Sequence, residues 1–536
     1  MMGWLGAGKA GAGRHNVERH EMERHDMEQY DMEQCNTGQR RKRTMTIFVK
    51  TAALALVAAL AVCGCTRRTD VEPSVSEAPP GTTGTDGTGA SGSEPFEIEP
   101  SSEDVTEEPS SGHETLESET EAGKDKPGDE QPEEGWEKSI LIGTDIHYLA
   151  NSLTDGGVRF RQMVEHGDGK VVTYIDEITD AFLDEVIRLR PNALILSGDL
   201  TLDGEKKSHE ELAQKLYRIK DEGIPVLVIP GNHDINNRRA ARFEGTERLP
   251  AEYTTPEEFR EIYRDFGYDD AISEDRGSLS YVYELDEENR LLMLDTCQYR
   301  PVAKVGGAIL SDTYDWIEEQ LELAWDEDAY VIPVAHHNLL DESEIYVDDC
   351  TIEHGEQLVE LLEDWDIPLF LSGHLHVQHC KRSDGDDGIW EMVTSSLATP
   401  ACQYGALTWR DDGSFNYKTW AVDVEKWAAD QKSSDINLLN FNKFKDPFLR
   451  EVFYNQSIDA LKKVRGLTDD QKLRMSRLYS ELNYYYYQGT AYLVKDGVEQ
   501  NQDYQLWLDE GAATEESEYL QYIIRDAVRD YNRAGE

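Results

Sequence analysis

Residues 139–424 are predicted to form an α/β fold, on three observations. Short apolar runs of strand length recur along the chain: 139–143 (SILIG), 193–197 (ALILS), 226–229 (VLVI), 291–294 (LLML), 330–334 (YVIPV) and 369–372 (LFLS). Between the first two lies a strong helix candidate, with Ile175, Ile178, Phe182, Val186 and Ile187 on one face at helical spacing. Nearly every run stops at an Asp, His or Asn. Strands alternating with helices form sheets whose strand ends carry the functional loops, so the residues at those ends are the ones to read for chemistry.

Composition bounds the rest. A length of 536 residues allows about three domains. The net charge of −54 argues against binding duplex nucleic acid, which needs a basic face to release counterions, and against adsorption to anionic lipid. A hydrophobic share of 39% is too high for full disorder. Seven cysteines in this length exclude a small disulfide scaffold.

The N-terminal quarter has a different character. Residues 21–34 repeat a five-residue pattern around Met22, Met27 and Met32. Residues 1–44 are expected either to leave with a cleaved leader or to precede the true start at Met45. The apolar run 51–64 follows the basic residues Arg40, Arg41, Lys42, Arg43 and Lys50. Its 14 residues fall short of the roughly 20 that span a bilayer but suit the apolar segment of a signal peptide. The run ends in Val62-Cys63-Gly64-Cys65, which resembles a bacterial lipobox and implies a leader over 45–65 with Cys65 lipidated. That would place the protein on the outer face of the cytoplasmic membrane, held there by the lipid alone. Residues 66–136 carry 20 acids against 4 bases among Ser, Thr, Gly and Pro. Such a stretch cannot bury enough surface to fold and is expected to be a self-repelling tether.

Five strand-end loops in the body offer metal ligands: Thr144-Asp145-Ile146-His147, Gly198-Asp199, Gly231-Asn232-His233-Asp234, His336-His337-Asn338 and Gly373-His374-Leu375-His376. Each alone is weak, since a strand-terminal His or Asp is usually a hydrogen-bonded structural residue. Alternate residues of an extended chain point the same way, so each H-x-H or D-x-H adds a modest metal signal. Five such loops in this order are far harder to explain by chance.

The set resembles the calcineurin-like metallophosphoesterase superfamily, with its order D-x-H, G-D, G-N-H-D/E, H and G-H-x-H. The resemblance covers roughly residues 138–424 and implies a two-sheet αββα sandwich carrying two metals. It implies Asp145, His147, Asp199 and His376 on one metal and Asp199, Asn232, His336 and His374 on the other, with Asp199 bridging. It makes His233 the histidine facing substrate, oriented or tuned by Asp234 or Asp203. Attack by a metal-bridging hydroxide on a small phosphate ester would follow. Mixed carboxylate, imidazole and amide ligands suit Mn, Fe, Zn or Ni better than Mg or Ca. Gly198-Asp199-Leu200-Thr201-Leu202 lacks the tyrosine of purple acid phosphatases, which disfavours a coloured ferric site. Also missing is the Arg-bearing loop of Ser/Thr protein phosphatases, which disfavours phosphoprotein substrates. Residues 148–172 are expected to be an insertion beside the pocket.

The remaining histidines of the body, His166, His209, His337, His354 and His379, are expected to be structural or solvated; His209 is assigned to helix-start polarity. Cys297, Cys350, Cys380 and Cys402 allow two bridges or buried thiols. Beyond residue 424 helical patterns take over in a C-terminal domain, 425–536. Thr468-Asp469-Asp470-Gln471 has capping-box spacing and opens a helix toward Tyr487. A second helix is expected over 515–534, and the tyrosines at 484–487 are expected to divide between core and rim.

This layout, together with the stretches 145–149, 197–205 and 230–234, resembles exported bacterial enzymes similar to cyclic-nucleotide phosphodiesterases. A phosphodiesterase is therefore the leading expectation. A phosphomonoesterase acting on nucleotides or wall polymers is the alternative, and a binding module without turnover is the reading from a different class.

Overall fold

The computed structural model describes residues 138–535 apart from 302, 385–387 and 411. The N-terminal extension, the leader with Cys65 and the acidic tether lie outside the described residues. Among the described residues no helix is long and apolar enough to cross a membrane.

The apolar runs become strands almost to the residue, and they sort into two sheets. The first sheet has six strands in the order Arg533–Gly535, Phe415–Ala421, Gln403–Trp409, Lys138–Gly143, Ala193–Ser197 and Val226–Ile229. Its last three strands run parallel, and the others pair antiparallel. The second sheet orders His379–Arg382, Trp390–Val393, Leu369–Ser372, Tyr330–Ala335, Asn289–Leu294, Tyr281–Asp286 and Ser273–Glu274, with the four strands from Trp390–Val393 to Asn289–Leu294 parallel.

Period-two alternation separates the two faces of the second sheet. Leu291 and Met293 point into a core shared with Ile140, Leu194 and Val228 of the first sheet. Leu292 and Leu294 point the other way, against Ile317 and Leu321 of helix Ser311–Asp326 and Leu358 and Leu362 of helix Gly355–Asp364. Helices Ile175–Leu189 and Lys206–Asp221 contribute Ile178, Phe182, Leu212 and Leu216 to the core of the first sheet. The result is the expected αββα sandwich. Phe182 packs onto Gly143, where an added Cβ would lie 3.0 Å from its ring. Helix packing thereby fixes the chain just before Thr144 and Asp145.

The C-terminal region is helical: Val424–Asp430, Phe441–Leu461, Asp469–Tyr487, Gln502–Asp509 and Glu515–Asp526 are its main helices. Thr468 and Gln471 make the expected reciprocal capping box. The core joins Phe453, Leu478, Tyr479, Tyr486, Trp507 and Ile523 to Leu375 and Val377 of the sandwich. Tyr486 and Tyr487 are buried while Tyr484 and Tyr485 are only partly so, as the four-residue run requires.

One expectation is overturned. The helix expected over 515–534 ends at Asp526, and Arg533–Gly535 adds an antiparallel strand to the first sheet beside Phe415–Ala421. Residues 425–536 are thus not a separate helical domain to the end, because the chain returns to complete the sandwich. Residues 527–534 do not extend the helix, because the backbone leaves it at Ala527.

Candidate metal centre

All five ligand-bearing loops leave their strands at one end of the sandwich and are laced together through the backbone. The amide of Asp145 donates to the Gly198 carbonyl at 3.0 Å and that of His147 to the Asp199 carbonyl at 2.9 Å. The His374 amide donates to the Asp145 carboxylate at 2.9 Å and the His233 amide to the Asp199 carboxylate at 2.8 Å. Asp145, His147, Asp199, His374 and His376 all hold positive φ, between 48° and 71°. Non-glycine residues pay roughly 1–2 kcal/mol each for that region, and such strain collects at functional sites. Two glycines make the crowding possible by close approach: a Cβ on Gly231 would lie 2.1 Å from the Asp199 amide nitrogen, and one on Gly373 2.1 Å from Thr144 Oγ1.

The side chains form two half-sites that share Asp199. In the first, His147 Nε2 lies 3.1 Å from His376 Nε2, and Asp145 Oδ1 lies 3.2 Å from His376 Nε2. Asp199 Oδ2 is 3.7 Å from His147 Nε2. In the second, His336 Nε2 is 3.2 Å from Asn232 Oδ1 and 3.4 Å from Asp199 Oδ1. The two carboxylate oxygens of Asp199 therefore face different half-sites. His336 Nδ1–H donates to the Ser197 carbonyl, and His374 Nε2–H donates to the Asp349 carbonyl, each at 2.9 Å. These bonds fix the tautomers, leaving Nε2 of His336 and Nδ1 of His374 as the nitrogens available to an ion.

This donor set fits divalent metals. Asp145 Oδ1 is buried without a hydrogen-bond partner, and the Nε2 atoms of the edge-to-face His147 and His376 rings crowd together, an arrangement that a cation relieves. Among the described residues, three of the four side-chain groups able to hold an ion are drawn wholly from the expected ligands and His233; the fourth joins His337 to His336 and His374. Burial and then the charge of Lys170 push His147 well below its ordinary value, which keeps it in the neutral form that binds metal. Burial would raise the Asp145 carboxyl, but the charge of His376 leads the effects that outweigh it and hold the group below the usual carboxylate range.

Compared with known families, residues 138–378 match the family described as "Calcineurin-like phosphoesterase", and residues 423–530 match the "C-terminal domain of cyclic nucleotide phosphodiesterase". Residues 138–378 are a calcineurin-like phosphoesterase domain. A "Probable cyclic nucleotide phosphodiesterase" of Vesicomyosocius okutanii is 25% identical over 36% of this chain and 66% of its own length. "Glycerophosphodiester phosphodiesterase GpdQ" of Enterobacter lignolyticus is 27% identical over 35% of this chain and 58% of its own. A "Probable glycerophosphodiester phosphodiesterase GpdQ" of Arcobacter nitrofigilis is 25% identical over 50% of this chain and 84% of its own. The chain thus spans less than two thirds of the length of each of the first two relatives.

Around the candidate metal ligands of the phosphoesterase domain, the other expected residues divide. His233 donates from Nδ1 to the Leu202 carbonyl at 2.6 Å, with Asp203 at 3.5 Å, and turns Nε2 toward Asp199 at 3.8 Å. Asp234, expected to act with His233, is occupied elsewhere. Its carboxylate accepts from the amides of Leu200, Thr201 and Gly231 and from the Thr201 hydroxyl at 2.8–3.0 Å. Asp234 is the brace between two loops, and Asp203 is the acid beside His233. Burial, then the charge of Asp199, push Asp234 up to about 6.

His337 spends both ring nitrogens, on Thr296 Oγ1 and on the Val305 carbonyl, and is structural. His209 stands in the first turn of helix Lys206–Asp221, as expected, but helix-start polarity is not what holds it there. It is buried, bonding Thr201, Tyr263 and the Asp234 carbonyl. His379 pairs with Asp526 at 2.8 Å and stacks on Tyr531 between sandwich and helices. Among the described residues no disulfide joins Cys297, Cys350, Cys380 and Cys402 to one another.

The metal centre of the phosphoesterase domain opens into a cleft of about 2250 Å³. His233 and His376 form its floor, the 163–170 segment of the insertion one wall, and Phe444, Phe448 and Val452 of helix Phe441–Leu461 another. The insertion thus does wall the pocket, with the exposed His166 on its rim. Asp168 and Lys170, which meet at 2.7 Å beside this floor, carried no recognisable sequence pattern.

Proposed function

We propose that this chain hydrolyses phosphodiesters in a metal-dependent reaction. The observation that carries the proposal is the Asp199 carboxylate, one oxygen facing each half-site, with His233 Nε2 beside it. Asp145, His147, Asp199 and His376 would hold one ion, and Asp199, Asn232, His336 and His374 the other. When bound, two such ions polarise phosphoryl oxygens and acidify a water for in-line displacement. Transition metals such as Mn, Fe, Zn or Ni suit this donor set.

The protein's own groups supply orientation and proton handling. With Nδ1–H committed to the Leu202 carbonyl, His233 is held with Nε2 toward the cleft floor. As an imidazolium it donates to a phosphoryl oxygen and then gives that proton to the departing alkoxide. Asp203, at 3.5 Å from Nδ1, stabilises the charged ring. Asp234 keeps the Gly198–Thr201 and Gly231–Asp234 loops in register, and so preserves the spacing between Asp199 and His233.

Relatives named for cyclic-nucleotide and for glycerol diesters support diesters over monoesters. Cyclic nucleotides are the proposed class, entering through a cleft with room for one and an apolar side wall for a base. The enzyme is further proposed to be exported and anchored through Cys65; loss of palmitate labelling in Cys65→Ser would support this, and unchanged labelling would refute it.

The activity is tested on Mn-loaded protein by comparing bis-p-nitrophenyl phosphate with p-nitrophenyl phosphate, with Asp199→Ala as blank. A diester preference supports the proposal and leads to 2′,3′- and 3′,5′-cyclic nucleotides. A monoester preference overturns it in favour of a phosphatase.

A further inference from the structure

Behind the strand-end loops, the second sheet carries a carboxylate among apolar neighbours. Glu391 lies in strand Trp390–Val393, in register with Phe370 of Leu369–Ser372. Alternation puts it on the face opposite Met392, the face that Phe370 gives to the helices. It is fully buried. An ionised carboxylate in such a place costs heavily unless donors meet its oxygens. Four do. The Leu339 amide donates to Oε1 and the Leu340 amide to Oε2, each at 2.7 Å. The Ser372 hydroxyl donates to Oε1 at 2.6 Å, and Asn338 Nδ2 reaches the same oxygen at 3.4 Å. Burial raises the carboxyl above its ordinary value, and the bonds from Ser372 and the two amides hold that rise back.

These donors belong to two loops, and each loop carries a candidate ligand of the second half-site. Asn338, Leu339 and Leu340 directly follow His336-His337, where the chain leaves Tyr330–Ala335. Ser372 ends its strand and is followed by Gly373-His374. The loops also bond to each other. The Gly373 amide donates to the His336 carbonyl at 3.0 Å, and Asn338 Nδ2 donates to Ser372 Oγ at 2.8 Å. The first half-site is braced by other groups: the Asp145 carbonyl accepts from the Ser396 hydroxyl at 2.8 Å and from the Ala398 amide at 3.3 Å.

We propose that Glu391 is a positioning residue for the second metal: by bonding both loops at once it fixes the separation of His336 and His374, and with it the ion affinity of that half-site alone. Its role rests on the dinuclear reading above, while the residue itself lies outside the expected ligand set. Both of its oxygens must accept, one from each amide. A glutamine cannot supply this, because its NH2 would face an N–H. Groups that hold metal ligands in place typically change affinity by roughly ten- to hundredfold.

The test titrates Mn into the metal-free full chain by calorimetry, comparing wild type with Glu391→Gln and Ser372→Ala. Glu391→Gln is expected to raise the Kd of one ion by roughly ten- to hundredfold while the other stays within about twofold; Ser372→Ala should act in the same direction by up to about tenfold. Combined variants assign the weakened ion. Adding Asn232→Ala, which removes a candidate ligand of the same half-site, should cost the tighter ion little, whereas adding Asp145→Ala should leave neither tightly bound. A merely structural strut would lower the melting temperature of metal-free protein and leave the ratio of the two Kd values unchanged. An unchanged ratio, or weakening confined to the Asp145 side, would overturn the proposal. Should Glu391→Gln fail to fold, the same ratio in Ser372→Ala decides. If the wild type binds two ions but hydrolyses no diester, the phosphodiesterase reading fails and a shifted ratio still supports Glu391; fewer than two ions in the wild type would overturn both.

Discussion

On one side of Asp199, His147 and His376 meet nitrogen to nitrogen at 3.1 Å beside the Asp145 carboxylate. On the other, His336 and His374 each donate from one ring nitrogen to a backbone carbonyl, and the fourth group is the neutral amide of Asn232. His147 Nδ1 has no such partner. The first half-site is thus rich in charge and poor in outer support, while the second has one fewer carboxylate and imidazoles aimed from behind. Charge draws in a cation, whereas bonds to the far ring nitrogen fix tautomer and raise basicity. A centre built this way can hold two unlike ions with one shared carboxylate, and that asymmetry distinguishes the side where charge is neutralised from the side where geometry is set.

Removing the shared group should break the comparison altogether. Asp199→Ala is expected to empty both half-sites by elemental analysis and to lower turnover by about a thousandfold or more, the several kcal/mol that metal stabilisation supplies. Retention of one full equivalent would mean that the half-sites do not share a ligand. His233→Ala should separate chemistry from metal binding: both ions stay while kcat falls by roughly 10²- to 10⁴-fold. Metal loss in that variant would make His233 a ligand.

Asn232→Asp sharpens the contrast by adding charge where geometry dominates. Its half-site should release metal to a chelator about tenfold more slowly, since ligand charge count tunes affinity. An unchanged release rate would show that orientation alone governs that side.

The smallest effect lies outside both half-sites. Burial, then the charge of Asp203, lift Glu205 from its ordinary 4.5 to about 7. Its folded value exceeds its unfolded one, so its contribution to stability is full below about pH 4.5 and lost as pH rises through about 7. Glu205→Gln should therefore stabilise metal-free protein by about 3 kcal/mol at most at pH 8 and by nothing at pH 4. Thermal melts at the two pH values check this, and an equal shift at both would contradict it.

Much of this molecule is legible in its sequence, because strand ends and ligands coincide. The runs 193–197, 226–229 and 369–372 became strands without adjustment, and the helix face Ile175–Phe182–Val186 packed as its spacing requires. All seven expected ligands converge on one end of the sandwich. What was illegible depended on contacts distant in sequence. Asp234 sits next to His233 in the chain, yet its carboxylate turns to the Leu200 and Thr201 amides, a choice set by how two loops meet. His209 does stand at a helix start, but its burial against Tyr263, 54 positions away, leaves no local mark. The Arg533–Gly535 strand needed a sheet edge to exist, and no local pattern announces an edge. Lys170 resembles any surface lysine until the insertion folds it beneath Asp168.

The central claim is that two ions share Asp199, and electron paramagnetic resonance of the Mn-loaded chain tests it most directly. Two Mn per chain and the broad signal of an exchange-coupled pair, absent in Asp199→Ala, are expected. One ion per chain, or two giving only the six-line pattern of isolated Mn, would contradict it.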